Sequence, residues 1–454
     1  MRRAQIPLKL VDFDPLSWGE RVELMGLLRW RALQGVSAAI GIGALSVLLA
    51  GCGENLDGSS GCPLVCNDVS SQIQTVTLDA ITVDTTVPAD LGLGTESLML
   101  LSSRGDTLDT RVIIRFDSLP LEAVHSTSSS TLVLIDSVNT ALLHLRFDSL
   151  AATATVPVTV SAYELDTSAT PDTAVATLAP LFVPAHFIGA KTFAPGTLAD
   201  TVSIPISDTL VLAKIKARTP LRIGLRISAN KSVSAHVYAT ESGLPPALTF
   251  RVSADTTVPV VGLTPYSATP AEDKIVSGNQ SDFTLIVIGT TTPSASFLAI
   301  GGLPASRTYL RFNIPLRLID SSNVVRATLL LTQALSTSPD QTDSMLVQPN
   351  IGVAGATITD VGRAAQIISA TLVTMEPLVT FPPSTGLKEI EVAPVFVAWA
   401  LQQPSVFPRA LVLRGGQEAI APQQVLFYSS RAADPSVRPK LRISYTLRAR
   451  IGTP

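Results

Sequence analysis

Four histidines are the first residues of this 454-residue sequence to consider for catalysis or metal binding. They are His125, His144, His186 and His236, and no two lie at the spacing of a metal-binding pair. The sequence contains no G-x-S-x-G, H-E-x-x-H or G-x-x-x-x-G-K motif. A histidine-based enzyme would need partners that only the fold brings together. We therefore predict no catalytic residue, no metal site and no cofactor, and a protein that is not an enzyme.

Aspartates crowd the region after residue 70, and paired carboxylates are the groups that hydrolyse glycosidic bonds. The crowded positions are Asp79, Asp84, Asp90, Asp106 and Asp109. Asp-Thr and Asp-Ser pairs also form turns, because the short side chain bonds the adjacent backbone, and such pairs recur along the chain. Turn formation is the favoured interpretation, and a polysaccharide hydrolase or lyase is the remote alternative.

Two arginines and one tryptophan are candidates for contact with a ligand. Arg115 and Arg311 each precede a phenylalanine within an apolar segment, which predicts buried arginines that pair with carboxylates or carbonyls. The functional alternative is contact with an acidic sugar. Trp399 is the only tryptophan beyond residue 30, and aromatic residues are only 5% of the chain, so a stacking platform for sugars is not visible.

The elements that position these groups begin after an apolar run. Residues 32–51 contain no charged side chain and follow Arg29 and Arg31, which is typical of an export signal. Twenty uncharged residues are also long enough to cross a bilayer as a helix, and a permanent anchor is the alternative. The run ends in Leu49-Ala50-Gly51 and is followed directly by Cys52.

This ending resembles the lipobox of bacterial lipoproteins. The resemblance implies cleavage before Cys52, a diacylglyceryl group on its thiol and an acyl group on its new amino terminus. Residues 1–51 are then a signal peptide, with Met25 as an alternative start, and residues 52–72 are a lipidated, flexible tether. The protein is expected to be exported and held to the cell envelope by lipid. Gly53, in place of an aspartate that would resemble an inner-membrane retention signal, favours the outer membrane.

The other two cysteines, Cys62 and Cys66, lie in the tether at a C-x-x-x-C spacing. A structural zinc site needs about four ligands, and no second cysteine or histidine pair is near. A small disulfide loop is the favoured interpretation for an exported protein, and free thiols are the alternative.

Composition and periodicity predict an all-β fold beyond residue 70. Hydrophobic residues make up 46% of the chain and charged residues 15%, and short segments such as 73–87 and 110–119 alternate apolar and polar positions. Helical patterns are best at 207–217 and 392–403. A net charge of −3 without a lysine or arginine run argues against nucleic-acid binding.

The two halves of the chain share an internal pattern. "TRVIIRF" around Arg115 corresponds to "RTYLRF" around Arg311, and each half ends in a strand-like segment, at 247–253 and 439–446. With the closing "YSSR…RPKLRISYT", this pattern resembles the DNRLRE-type domain, a jelly-roll β-sandwich of bacterial exported proteins related to polysaccharide-binding modules. We predict two tandem jelly-roll-like β-sandwich domains at 73–255 and 256–447, followed by a short tail at 448–454.

The resemblance implies recognition of an extracellular polymer such as polysaccharide by a lipid-anchored binding or structural module. An envelope structural or adhesion lipoprotein that binds another protein is the alternative. The expected partners are the membrane, through the N-terminal lipid, and a polysaccharide or an envelope protein.

Overall fold

A computed structural model of the protein describes residues 72–89, 94–148, 155–166, 173–198, 200–268, 280–336, 344–352, 360–367, 379–401 and 409–448. The predicted signal peptide, lipidation at Cys52 and pairing of Cys62 with Cys66 lie outside these residues and stay predictions. Within them, no helix is long and apolar enough to span a membrane.

Strands are the main secondary structure of the described residues. In its first part these are β1 (Gln74–Leu78), β2 (Ile81–Pro88), β3 (Leu98–Ser103), β4 (Asp109–Phe116), β5 (Glu122–Ser126), β6 (Ser129–Leu134), β7 (Asn139–Phe147), β8 (Val158–Glu164), β9 (Phe187–Phe193), β10 (Asp200–Pro205), β11 (Leu221–Ala229), β12 (Val233–Tyr238), β13 (Ala247–Arg251), β14 (Val261–Leu263) and β15 (Asp282–Ile288). They continue as β16 (Phe297–Gly301), β17 (Ser306–Phe312), β18 (Ser322–Ala334), β19 (Met345–Ile351), β20 (Val379–Phe381), β21 (Gly386–Glu391), β22 (Ala410–Gly415), β23 (Gln424–Tyr428) and β24 (Lys440–Leu447).

Helices are few and short. They are α1 (Val175–Leu178), α2 (Asp208–Ala217), α3 (Arg317–Asp320), α4 (Val361–Gln366) and α5 (Ala393–Leu401), together with 3-10 turns at Ala179–Leu181, Pro184–His186, Thr240–Ser242 and Pro435–Val437. The helices α2 and α5 confirm the two helical patterns, and the predicted all-β class is confirmed.

Two antiparallel sheets of eleven strands hold most of the described chain. The first sheet has the order β14-β13-β7-β12-β3-β4-β11-β8-β9, with β10 also paired to β7 and β15 to β4. The second sheet has the order β1-β24-β18-β23-β16-β17-β22-β19-β20, with β21 also paired to β18 and β2 to β17. The remaining strands, β5 and β6, pair only with each other.

The two orders are the same when each strand is replaced by its counterpart in the other half of the chain. Thus β3 and β4 correspond to β16 and β17, and β13 corresponds to β24. Two helices also occupy corresponding positions, since α2 lies between β10 and β11 and α5 lies between β21 and β22. The repeat seen in the sequence is therefore present in the strand order.

Strand pairing does not follow the predicted division at residue 255. Strands β1 and β2 begin the described chain, yet they pair with β24 and β17 of the second sheet. Strands β14 and β15 follow the predicted boundary, yet they pair with β13 and β4 of the first sheet. The first sheet is thus built from one continuous stretch, inserted between β2 and β16 of the second. The number of independent domains stays a prediction.

Each sheet folds over a core of its own, as in a β-sandwich. In the first sheet, buried side chains from β4, β8 and β11 share one cluster with those from β7, β10 and β13, although these strands stand far apart in the order. Phe250 and Ile223 are both fully buried in this cluster. The second sheet forms an equivalent cluster that includes Phe427 and, from α5, Trp399. Strands at opposite ends of each order therefore face each other across apolar side chains.

The two sheets touch near the start of β3. Leu303, in the turn between β16 and β17, packs with Leu100 and Leu108 of the first sheet in a small buried cluster. His236 Nε2, on β12, lies 2.7 Å from the main-chain oxygen of Ile420. The sequence-distant halves are thus joined by both apolar and polar contacts.

Candidate functional site

The three predicted ligand contacts do not meet in one place. Arg115 is 1% exposed, and its guanidinium carbon lies 5.3 Å from the centre of the Phe283 ring. Trp399 is 3% exposed and packs edge-on against Phe396 in the second core. Arg311 is half-buried on β17. These positions favour the structural role that the sequence also predicted for the arginines, and ligand contact by the three side chains stays a prediction.

The fold does bring hydroxyl groups to one histidine. His144 on β7 lies between Ser203 of β10 and Thr249 of β13, with Nδ1 2.8 Å from the serine oxygen and Nε2 2.8 Å from the threonine oxygen. Removal from water lowers the pKa of His144, so the ring is neutral at pH 7. No carboxylate is hydrogen-bonded to this ring among the described residues, so the arrangement lacks the acidic group that orients a catalytic histidine.

The crowded aspartates are separated by the fold. Asp109 pairs with Arg111 at 2.8 Å, and Asp106 is exposed in the turn between β3 and β4. Asp79 is exposed between β1 and β2, whereas Asp84 is buried on β2. Asp90 lies outside the described residues. The four described aspartates thus do not form one catalytic pair.

A different group of carboxyls comes together at one end of the first sheet. Asp282 is the fully buried first residue of β15, Glu96 lies just before β3, and Glu241 lies in the 3-10 turn after β12. Strand pairing explains the assembly, since Tyr238 at the end of β12 is opposite Leu98 at the start of β3. We call Glu96, Glu241 and Asp282 the carboxyl cluster.

Hydrogen bonds hold Asp282 at the centre of the carboxyl cluster. Its Oδ2 accepts from the Thr240 main-chain nitrogen at 2.9 Å and from the Thr240 hydroxyl at 3.1 Å. Its Oδ1 accepts from the hydroxyl of Ser281 at 3.3 Å. Among the described residues, no lysine, arginine or histidine forms an ion pair with any member of the cluster.

Crowding and burial make these carboxyls hard to ionise. Burial raises the pKa of Asp282 above its ordinary value, although the bonds from Thr240 act in the opposite direction. Burial also raises the pKa of Glu96, and the charge of Asp282 adds to that effect. Although Glu241 is exposed on one side, partial removal from water, together with the charges of Asp282 and Glu96, raises its pKa to about 7. Burial and like charge therefore favour a proton, or a nearby positive group, at this cluster.

The second sheet contains the counterpart of this site, in which an arginine accompanies the buried aspartate. Asp84 on β2 faces Leu310 of β17 as Asp282 faces Ile114 of β4. Asp84 accepts from the main-chain nitrogen of Ser430 at 2.6 Å and from its hydroxyl at 2.8 Å, just as Asp282 accepts from Thr240.

The next residue along the chain distinguishes the two sites. It is Glu241 in the first sheet and Arg431 in the second, and Glu96 corresponds to Ala295. Arg431 Nη2 donates to the main-chain oxygen of Asp84 at 3.0 Å, and Nε donates to that of Ala295 at 3.0 Å. One guanidinium thus stands where the first sheet has a carboxyl group.

A cavity of about 270 Å³ adjoins the carboxyl cluster. Phe283 and Leu285 of β15 form one wall, Leu303 and Ala305 form another, and the polar lining residues are Glu96, Thr173 and Thr284. This volume is close to the lower end of about 300–1,000 Å³ for small-molecule sites, and mainly apolar walls with a few polar groups are typical of them. A second cavity of about 230 Å³ lies beside Gly301 and Glu418.

The chemistry available at the carboxyl cluster is proton exchange or binding of a positive group. Within the described residues, no three histidine, cysteine, aspartate or glutamate side chains are arranged to hold a metal ion. Sequence reasoning missed Glu96, Glu241 and Asp282 because they are far apart in the chain. Alignment of the two halves, with Glu241 in the place of Arg431, is the signal that would have found them.

Comparison with known proteins identifies no family. No family model matches the chain, and no curated protein matches it. The structure of infectious bursal disease virus Gx strain is 10% identical over 82% of this chain and 77% of that chain, with a TM-score of 0.11. The C-terminal domain of the Streptococcus pyogenes antigen I/II-family protein AspA is 8% identical over 78% and 92%, with a TM-score of 0.12. Similarity at this level carries no argument about fold or function.

Proposed function

We propose that the protein is an exported, lipid-anchored binding module of the outer membrane that recognises an extracellular polymer, such as a polysaccharide, without cleaving it. The observation that carries the proposal is the cavity of about 270 Å³ between elements of the two sheets. It is large enough for a single terminal or branching unit of a polymer and offers both apolar contact and a carboxyl acceptor. Export and anchoring rest on the resemblance of Leu49 to Cys52 to a lipobox.

Recognition is tested by presenting purified full-length protein to a glycan array. Val175→Trp should abolish glycan binding by filling the cavity, because Val175 lines the cavity and is 38% exposed. The matched control is Val183→Trp, because Val183 is 39% exposed but does not line the cavity. Absence of glycan binding in the wild type, or equal binding by both variants, contradicts the proposal.

Turnover of a bound polymer would favour the remote alternative of a hydrolase or lyase. The carboxyl cluster is the place to look, because raised carboxyl pKa values are used by general acids. Glu241→Gln should leave polymer length unchanged by light scattering, as should the wild type. Shortening by the wild type alone would show that the protein is an enzyme.

Anchoring is tested by Cys52→Ala. This variant should remain an unprocessed precursor that does not incorporate palmitate, whereas the wild type should be labelled. Normal labelling of the variant would rule out lipidation at Cys52.

A second candidate function, an envelope structural or adhesion lipoprotein, is favoured by the hairpin of β5 and β6. Leu132, Val133 and Leu134 are 59%, 49% and 63% exposed, and three adjacent exposed apolar side chains are typical of contact with another protein. A photo-crosslinking residue at position 134 should capture a protein in intact cells. The matched control is position 387, where Leu387 is 60% exposed on the second sheet. Identical products from both positions would contradict this function.

A further inference from the structure

The two corresponding sites of this chain differ in what neutralises the buried aspartate. In the second sheet, a guanidinium from Arg431 lies against Asp84, with Nη2 4.0 Å from Oδ1 and 3.0 Å from the main-chain oxygen. In the first sheet, Asp282 keeps the same hydroxyl and amide donors but has carboxyl groups nearby instead. In the second sheet, the cation beside the buried aspartate is therefore a guanidinium group.

The first site has more acidic groups than its counterpart and, among the residues that the structure describes, no lysine, arginine or histidine paired with them. Glu241 and Glu96 stand where the second sheet has Arg431 and Ala295. An ionised carboxylate that is buried without a positive partner is costly, and a positive ligand relieves that cost. The carboxyl cluster is therefore complementary to a cation from outside the chain.

The kind of cation follows from geometry. No three of the described acidic, histidine or cysteine side chains are arranged for a metal ion, which needs its ligands at short and nearly equal distances. A guanidinium is planar and carries five donors, so it reaches acceptors that are farther apart. Arg431 does this in the second sheet, where it reaches the oxygens of two different strands or loops.

We propose that the carboxyl cluster binds the guanidinium group of an external ligand, whose apolar part occupies the adjoining cavity. Glu96 belongs to both, because it is a member of the cluster and also lines the cavity. The inference concerns the same cavity as the proposed function but a different kind of ligand, and it does not rest on polymer recognition. The guanidinium comes either from a small molecule or from an arginine side chain of a peptide.

Calorimetric titration of the full chain with four probes tests this at pH 8, above the pKa of about 7 of Glu241. The probes are butylguanidinium, butylammonium, calcium chloride and a peptide in which one arginine is flanked by uncharged residues. Butylguanidinium should bind at least about tenfold more tightly than butylammonium, because only the planar group forms paired hydrogen bonds. Tighter binding of the peptide than of butylguanidinium identifies a peptide source, and the reverse identifies a small molecule. Equal binding of the two butyl compounds, or preference for calcium, overturns the inference.

Two variants localise the binding. Glu241→Arg places a guanidinium where Arg431 stands in the second sheet, so it should weaken butylguanidinium binding at least about tenfold. Glu122→Arg, at an exposed glutamate on β5, should bind like the wild type. Unchanged affinity in Glu241→Arg overturns the inference. A chain that binds glycan but not butylguanidinium overturns this inference alone, whereas one that binds butylguanidinium but no glycan overturns polymer recognition alone.

Discussion

Arg431 and Glu241 occupy the same place in the two sheets, each directly after the hydroxyl residue that binds a buried aspartate. The arginine stabilises its aspartate, whereas the glutamate adds like charge beside Asp282. The buried aspartate therefore has an arginine beside it in the second sheet, whereas in the first sheet it has additional acidic groups nearby. The difference has consequences for stability that can be measured.

Glu241→Arg should stabilise the protein. The substitution removes repulsion from Asp282 and Glu96 and supplies the ion pair seen at Arg431. Because position 241 is exposed, the expected gain in unfolding free energy is about 0.5–1 kcal/mol at pH 8. Urea denaturation measures it, with Glu122→Arg as the control. A loss of stability in Glu241→Arg but not in Glu122→Arg would show that the groups around position 241 do not carry a net negative charge.

The contribution of Glu241 to stability should fall as pH rises from 5 to 8. The pKa of Glu241 is raised to about 7 in the folded protein from an ordinary value of 4.5, so the folded state holds a proton that the unfolded state loses over this range. The contribution is present at low pH and is lost as pH rises through 7. Glu96 and Asp282 act in the same direction because their pKa values are also raised.

Thermal unfolding at several pH values provides the measurement for this dependence. Glu241→Gln should flatten the decline between pH 6 and 8, because the amide does not titrate. Glu122→Gln should leave the decline unchanged, because the side chain of Glu122 is exposed to solvent. Parallel curves for wild type and Glu241→Gln would exclude Glu241 as a source of the dependence.

Fragments cut at the boundaries of the strand pairing should fold better than fragments cut at residue 255. A fragment of residues 94–290 contains every strand of the first sheet and should give a monomeric, β-rich species. A fragment of residues 73–255 lacks β14 and β15, so β13 and β4 each lose a partner strand and become open to aggregation. Circular dichroism and size-exclusion chromatography distinguish them. Equal folding by both would show that β14 and β15 are dispensable.

Loss of the buried ion pair between Arg307 and Glu418 should be severe. The two side chains are each 6% exposed and are joined by bonds of 2.7 and 2.9 Å. Glu418→Ala leaves the arginine buried without its partner, which costs about 3–5 kcal/mol. Glu389→Ala is the comparison, because it breaks the exposed pair with Arg442 and should cost about 0–1 kcal/mol. Urea unfolding of both variants tests the difference.

Local pattern was enough to predict the strands but not their partners. Alternation between residues 73 and 87 predicts a strand with one buried face, and the structure has β1 and β2 there. Nothing in that alternation indicates pairing with β17 and β24, which lie more than 200 residues away. Strand partners depend on packing and turn geometry across the whole fold, so the pairing of β1 and β2 with the second sheet could not be derived from periodicity.

The site was harder to predict than the fold for the same reason. Asp282 has no neighbour in sequence that marks it as special, and Glu96 and Glu241 each look like ordinary surface glutamates. Their pKa shifts arise only when β3, β12 and β15 bring them together. By contrast, the burial of Arg115 was predictable, because most of the residues around it in the strand are apolar and the strand is buried.

The pairing of β1 with β24 determines how the folded chain would resist a mechanical load. The two strands run antiparallel, with Gln74 opposite Tyr445 and Leu78 opposite Leu441, so the two ends of the described chain emerge side by side. Tension between those ends would unzip the pairs one at a time, starting at Gln74 and Tyr445. Tension along the strand axis, between residue 72 and a point beyond Leu78, would instead load all five pairs together in shear, and the pairing would bear more force in that direction.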